Sequence, residues 1–224
     1  MTLSNVYIDI LKDRLYTFAP KSEGRRSAQT ALYRIVDTLA RLLSPILVFT
    51  ADEIWESLPG QREASVHIAE FPNADEKNGD CDLLSRWESL LEIRSLVQKA
   101  LEEKRNQKVL GSSLEATVSL RASGWALDLL KDCEDQLADL FIVSKVILDS
   151  GIAPRAQYTF SPPHGISTQI TSTLLDVQEI DVKHARGAKC ERCWHWSETV
   201  GKDRRVPEVD ERCIRQLEEG WGLR

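Results

Sequence analysis

The sequence predicts a fold of the α+β class that is mainly α, and three observations lead there. Apolar residues recur at helical spacing through residues 1–109, the period switches to strict alternation after Gly111, and a Cys-x-x-Cys pair sits in a C-terminal stretch with little else to bury. The expected division is a helical bundle over 1–109, a small α/β unit over 110–186 and a zinc-ribbon-like segment over 187–224.

The first helix is expected around Tyr7, Ile8, Leu11, Leu15 and Phe18, ending at Pro20 and Gly24. The next carries Ala28, Leu32, Ile35, Val36, Leu39 and Leu43 on one face, with Gln29, Arg34, Asp37 and Arg41 opposite, and stops at Pro45. Thr50-Ala51-Asp52-Glu53 reads as a capping box that opens a short helix bearing Ile54 and Trp55. Residues 58–81, rich in Pro, Gly, Asp and Asn, read as connection, with SVHIAEF extended. A long helix over about 83–108 follows, its stripe being Leu83, Leu84, Trp87, Leu90, Leu91, Val97 and Leu101. Arg94 falls inside that stripe, either paired at a domain edge or aimed into a groove.

Beyond Gly111, EATVSLRA alternates like a half-buried strand, GWALDLLKDCEDQLADL returns to helical spacing, and FIVSKVIL is rich in β-branched residues. A loop through Pro154, Pro162 and Pro163 leads to LLDVQEIDVKHARGAK, which alternates again. Strand, helix, strand, loop, strand is the order of a small α/β unit.

Of the 224 residues, 42% are hydrophobic and 29% charged, which excludes wholesale disorder and a disulfide scaffold. No apolar run approaches the roughly 20 residues of a membrane span, and Asp9, Lys12 and Asp13 interrupt any leader pattern. A cytoplasmic protein without a membrane partner is the expectation. The net charge of −6 excludes a global basic field, so any contact with nucleic acid needs a local patch.

The sharpest chemistry lies in KCERCWHWSETVGKDRRVPEVDERCIRQL. Cys190 and Cys193, two residues apart on a tight turn, can both ligate one tetrahedral ion. A second pair belongs 15–20 residues on, at a ribbon's usual spacing, and there stands Asp210-Glu211-Arg212-Cys213, with a carboxylate first. Three readings stay open. Cys190, Cys193, Cys213 and Asp210 bind zinc; His195 or His184 supplies the fourth ligand; or the site is degraded and metal-free. A redox pair is a weaker idea, since no thioredoxin-like βαβ unit surrounds it, and Cys81 and Cys133 are isolated bystanders.

Trp194 and Trp196 flank His195. On a short strand, alternate residues face one side and form a stacking platform for unpaired bases; the plainer reading is packing of a small ribbon. Residues 186–205 hold six basic residues (Arg186, Lys189, Arg192, Lys202, Arg204, Arg205) against three acids, a local excess that suits RNA or is simply solvated surface.

KDRLYT (12–17), RRSAQTAL (25–32), SPILVFTADEIW (44–55), GSSLEA (111–116) and GAKCERCWHW (187–196) occur in the order seen in bacterial isoleucyl-tRNA synthetases, and the chain resembles the C-terminal portion of that family over nearly its whole length. The helical part alone is shared with the valyl and leucyl enzymes; KCERCWHW favours the isoleucyl one. The resemblance implies a helical anticodon-binding domain, a junction domain and a zinc-binding segment that together grip the anticodon stem-loop of tRNA(Ile). Lys12, Arg14, Arg25, Arg26, Arg192, Trp194 and Trp196 are its implied RNA contacts. For each basic residue the plainer alternative is an ordinary surface charge, and Arg14 beside Leu11 and Leu15 suits a helix-to-helix tie.

Two departures qualify it. The second cysteine pair is incomplete at Asp210, and the family's ATP-site signatures are absent; His164-Gly165 is no substitute, and no glycine-rich phosphate cradle occurs. ATP is therefore expected only in a separate catalytic body, and this chain alone is not expected to catalyse aminoacylation. A fragment of the ligase starting at Met1 is the leading expectation, whether truncated gene product, split frame or cloned piece. The rivals are a free-standing tRNA-binding accessory module acting in trans and a helical partner-binding domain with a vestigial ribbon.

Overall fold

A computed structural model describes residues 3–73, 80–150 and 176–223. Met1, Pro154, Pro162, Pro163, His164 and Gly165 lie outside the described residues. Among the described residues the architecture is mainly helical with two small sheets, the α+β class that the sequence predicts. The contacts gather the chain into two compact units that do not follow sequence order: residues 1–13 with 80–215, and residues 14–79 with 216–224.

In the first unit, a π-helical turn (Leu3–Ile8) leads into α1 (Asp9–Thr17). The long helix α4 spans Cys81–Asn106, opened by the Asp80 carboxylate, which accepts from the Leu83 amide at 3.0 Å. Its stripe is only half right. Leu90, Val97 and Leu101 are buried with Ile93, whereas Leu83, Leu84 and Trp87 are exposed, because the core begins one turn further along the helix. Arg94 is buried, and its Nε donates to the Leu140 carbonyl at 2.9 Å; it ties α4 to the next layer, and burial lowers its pKa.

Strand β1 (Ala116–Ala122) is central, with β2 (Lys145–Asp149) parallel on one side and β3 (Val177–His184) antiparallel on the other. Between β1 and β2 the chain passes through α5 (Gly124–Asp132) and α6 (Leu137–Phe141). The alternation in β1 is complete: Ala116, Val118, Leu120 and Ala122 join the core with Ile93, Val97 and Leu101 of α4. The other face of β1 presents Thr117 and Ser119 to a cleft of about 690 Å³ shared with the cysteine segment.

In the second unit, α2 (Glu23–Leu43) and α3 (Val48–Ser57) meet over Ala40, Ala51, Trp55 and Val66. The Trp55 indole donates to the Glu63 carbonyl at 2.9 Å, and the Arg62 guanidinium lies 4.6 Å over the same ring. The expected capping box is absent. Helix α3 begins at Val48, two residues before Thr50, and the Asp52 carboxylate accepts instead from the Ser65 hydroxyl (2.7 Å) and the Val66 amide (3.0 Å). Those two bonds hold Asp52 below its ordinary pKa. They also explain why SVHIAEF is not extended: Ser65 caps a 3₁₀ turn over Val66–Ile68. The C-terminal end of the α2 stripe stays uncovered, with Leu39, Leu42 and Leu43 exposed beside Ile46 and Phe49 after the Pro45 turn. No helix among the described residues is long and apolar enough to cross a membrane.

Candidate metal centre

The cysteine segment opens with a two-residue hairpin, β4 (Ala188–Lys189) against β5 (Trp196–Ser197). Gly187 sits just outside it at φ 94°, and a Cβ there would lie 2.2 Å from the Ser197 carbonyl oxygen. Gly187→Ala is therefore expected to destabilise the segment by about 2–3 kcal/mol. Denaturant unfolding followed by Trp fluorescence checks it; an unchanged midpoint contradicts the close approach.

Within the hairpin the backbone closes on itself. The Cys190 amide donates to the His195 carbonyl and the Trp194 amide to the Cys190 carbonyl, both at 2.8 Å. Closing that turn puts Trp194 at φ 66°, a left-handed conformation that a tryptophan adopts only at a cost of about 1–2 kcal/mol. The other half of the site is the start of α7 (Glu211–Trp221). Asp210 caps it, its Oδ1 accepting from the Cys213 amide at 2.7 Å.

This folding gathers Cys190, Cys193, Asp210 and Cys213, all buried, with their ligand atoms within 4.8 Å of one another. Cys193 Sγ lies 3.5 Å from Asp210 Oδ2, and the Asp210 amide donates to Cys190 Sγ at 3.4 Å. A tetrahedral ion with metal–sulfur bonds of about 2.3 Å spaces its donors roughly 3.5–3.8 Å apart, so the set fits. The thiols are polarised against one another. Cys190 is driven far below an ordinary thiol by the hydrogen bonds of Cys193 and then Cys213. Donating to Cys190 pushes Cys193 up to about 12 and raises Cys213 as well. Three thiols and a carboxylate packed this closely are the donor chemistry of a cation site.

Neither histidine joins the donor group. His195 Nδ1 faces the Arg212 guanidinium at 3.5 Å, and burial first, then Arg212, lowers its pKa. The His184 ring packs edge-on against Trp196, 4.6 Å between centroids.

Arg212, which the sequence reading passed over, forms a two-pronged ion pair with Asp13 at 2.5 and 3.1 Å and fixes the start of α7 against α1. Ser144 was also missed: it accepts from the Trp196 amide at 2.6 Å, joining the hairpin to the end of α6, and donates to the Leu114 carbonyl. A signal was available for neither, since both partners are distant in sequence.

The two indoles do not share a strand. Trp194 precedes β5 in its left-handed turn and is 59% exposed, with Lys189 Nζ 5.2 Å over its ring, while Trp196 is half-buried on β5. A left-handed residue breaks the alternation from which a common face was expected. Arg192 is half-buried on the same turn as Trp194. Lys12 is exposed on α1 and bonded to Asp9 at 2.7 Å. Arg14, Arg25 and Arg26 belong to the other compact unit. There Arg25 donates to the Phe18 carbonyl at 3.1 Å, Arg14 is half-buried and Arg26 is exposed on α2.

The family model described as the anticodon-binding domain of tRNA ligase matches residues 1–120. Among curated proteins, the isoleucine–tRNA ligase of Syntrophotalea carbinolica is 45% identical over 216 residues, 96% of this chain and 22% of that protein. The isoleucine–tRNA ligases of Moorella thermoacetica and Dichelobacter nodosus are 42% and 40% identical over 97% and 99% of this chain, again 22% of theirs. The chain thus spans about a fifth of the length of these relatives. The resemblance to the isoleucyl enzymes is borne out over nearly the whole length of the chain, and by the match over residues 1–120 this chain belongs to the anticodon-binding-domain family of the tRNA ligases.

Proposed function

We propose that the chain grips the anticodon stem-loop of tRNA(Ile) as part of an isoleucine–tRNA ligase, in which a separate catalytic body carries out the ATP-dependent chemistry in the cytoplasm. The functional division is 1–109 for anticodon binding, 110–186 as junction and 187–224 as a zinc-ribbon-like segment. Lys12, Arg14, Arg25 and Arg26 meet phosphates, and Arg192, Trp194 and Trp196 meet the unpaired loop.

One observation carries the reading at residue level: Trp194 is held in a strained turn, exposed, beside Lys189 and Arg192. A core residue gains nothing from that placement, whereas a base-stacking platform needs it. The apolar elbow at Leu42, Ile46 and Phe49 is surface of the kind that contacts further protein, as the body of a ligase would supply.

Zn²⁺ held by Cys190, Cys193, Cys213 and Asp210 would cross-link the two halves of the segment and fix the turn that displays Trp194. The protein's own residues do the rest. Asp210 and the Trp194 amide set the two turns, and Arg212 with Asp13 sets the start of α7.

Gel shift with tRNA(Ile) against a tRNA of unrelated anticodon tests the proposal. A clear preference for tRNA(Ile) is expected; equal, weak binding of both overturns it.

A further inference from the structure

The outer face of the β1 sheet carries a charge pattern that the fold does not compensate. The buried residues of β1 meet the helices, so Thr117, Ser119 and Arg121 face away from the core. Register sets three cross-strand rows on that face: Asp149–Arg121–Glu179 at one end, Ile147–Ser119–Asp181 in the middle and Lys145–Thr117–Lys183 at the other. The first row satisfies itself, since Arg121 lies 3.1 Å from the Asp149 carboxylate and 2.5 Å from that of Glu179. The last row does not. A neutral hydroxyl stands between two lysines whose strands are about 10 Å apart, twice the usual strand spacing. Lys183 gives one N–H to Asp181 at 2.6 Å, and Lys145 forms no ion pair among the described residues. Two ammoniums so placed repel each other unless an anion lies between them.

Both lysines and Thr117 line the cleft of about 690 Å³. Trp196 lines it too. The Trp196 amide donates to the hydroxyl of Ser144, the neighbour of Lys145, at 2.6 Å, and its indole meets the ring of His184, the neighbour of Lys183. One cleft therefore offers a phosphate-sized gap between two cations, a hydroxyl donor and an aromatic wall, in a volume that suits one nucleotide.

We propose that this cleft seats one unpaired nucleotide, its phosphate between Lys145 and Lys183 at Thr117 and its base against Trp196. An RNA strand and a free nucleotide share this chemistry. The RNA source rests on the reading above, and the site itself does not.

The full chain, ¹⁵N-labelled and purified without chelator, is titrated with 5′-AMP and with inorganic phosphate. AMP should shift the Thr117 and Lys145 amides and the Trp196 indole N–H together and saturably, at least about fivefold tighter than phosphate, because only AMP stacks. T117E puts a carboxylate between the lysines, and K145Q/K183Q removes both charges. Each should lower AMP affinity at least about tenfold while the Val118 and Leu120 amides keep their protection. Equal affinity for AMP and phosphate, no saturable shift, or variants that bind AMP as the unaltered chain does would each overturn the proposal. Gel shift of T117E with tRNA(Ile) then identifies the source. Affinity that falls along with AMP binding makes the cleft part of the RNA grip; affinity that holds while AMP binding is lost assigns the cleft to a free nucleotide. Absence of any tRNA(Ile) preference in the unaltered chain removes the RNA source alone, since the AMP titration does not depend on it.

Discussion

Chelation of zinc, or Cys190→Ser, is expected to unfold the segment from Gly187 to Cys213 while the β1 sheet stays folded. The segment's buried cluster is Cys190, Cys193 and Cys213, with Val200 and Val209 packed on it, and its hairpin pairs two residues with two. A two-stranded ribbon of that size is not stable alone in water. The sheet draws on a separate core that includes Ile93, Val97, Val118, Leu120, Leu130 and Phe141, none of which touches the metal donors. Structural zinc contributes on the order of 10 kcal/mol of binding free energy in small zinc domains, and most of it is folding free energy. Hydrogen exchange reads the outcome directly. The Cys190, Trp194 and Cys213 amides, now bonded to His195, Cys190 and Asp210, should lose protection, and those of Val118 and Leu120 should keep it. Protection that survives the chelator at Cys190 and Cys213 would show the segment folding on protein contacts alone.

What the sequence made legible was whatever a local period could carry. The alternation in 116–122 and the helical stripe from Leu90 to Leu101 both emerged as expected, because each buries one face against the other. Local chemistry misled where a distant partner outbid it. Asp52 has the spacing of a capping box, yet two donors from residues 65 and 66 hold its carboxylate. Leu83, Leu84 and Trp87 obey the helical period but lie beyond the reach of the core. At the candidate metal centre the spacing made the three cysteines readable as one group, and whether Asp210, His195 or His184 would join them was not. That choice depends on Asp210 starting α7, on Arg212 and burial occupying His195, and on Trp196 occupying His184. Arg212 itself shows the limit, since its partner Asp13 lies at the other end of the chain.

Trp194→Gly is expected to leave the stability of the fold nearly unchanged and to weaken RNA binding in the same molecule. At φ 66° a tryptophan pays roughly 1–2 kcal/mol that glycine does not. Against this stand the extra freedom glycine gives the unfolded chain, about 0.4–1 kcal/mol, and the exposed contact with Lys189, about 0.5–1 kcal/mol. These terms nearly cancel, so the net should lie within about 1 kcal/mol of zero in denaturant unfolding of the metal-loaded protein. Affinity for tRNA(Ile) falls. Loss of one stacked base costs about 1–3 kcal/mol, which is about 5- to 150-fold in Kd. The two readouts separate the roles that one indole can have. Packing predicts a loss of more than about 1 kcal/mol on removal of the ring, as for any aromatic that fills a core. An ordinary surface residue predicts the same small change in stability with affinity untouched. Only a residue held in a strained turn to meet a base predicts stability kept or raised while binding falls. Trp194→Phe, which keeps the strain and an aromatic face, should recover part of the affinity with little gain in stability.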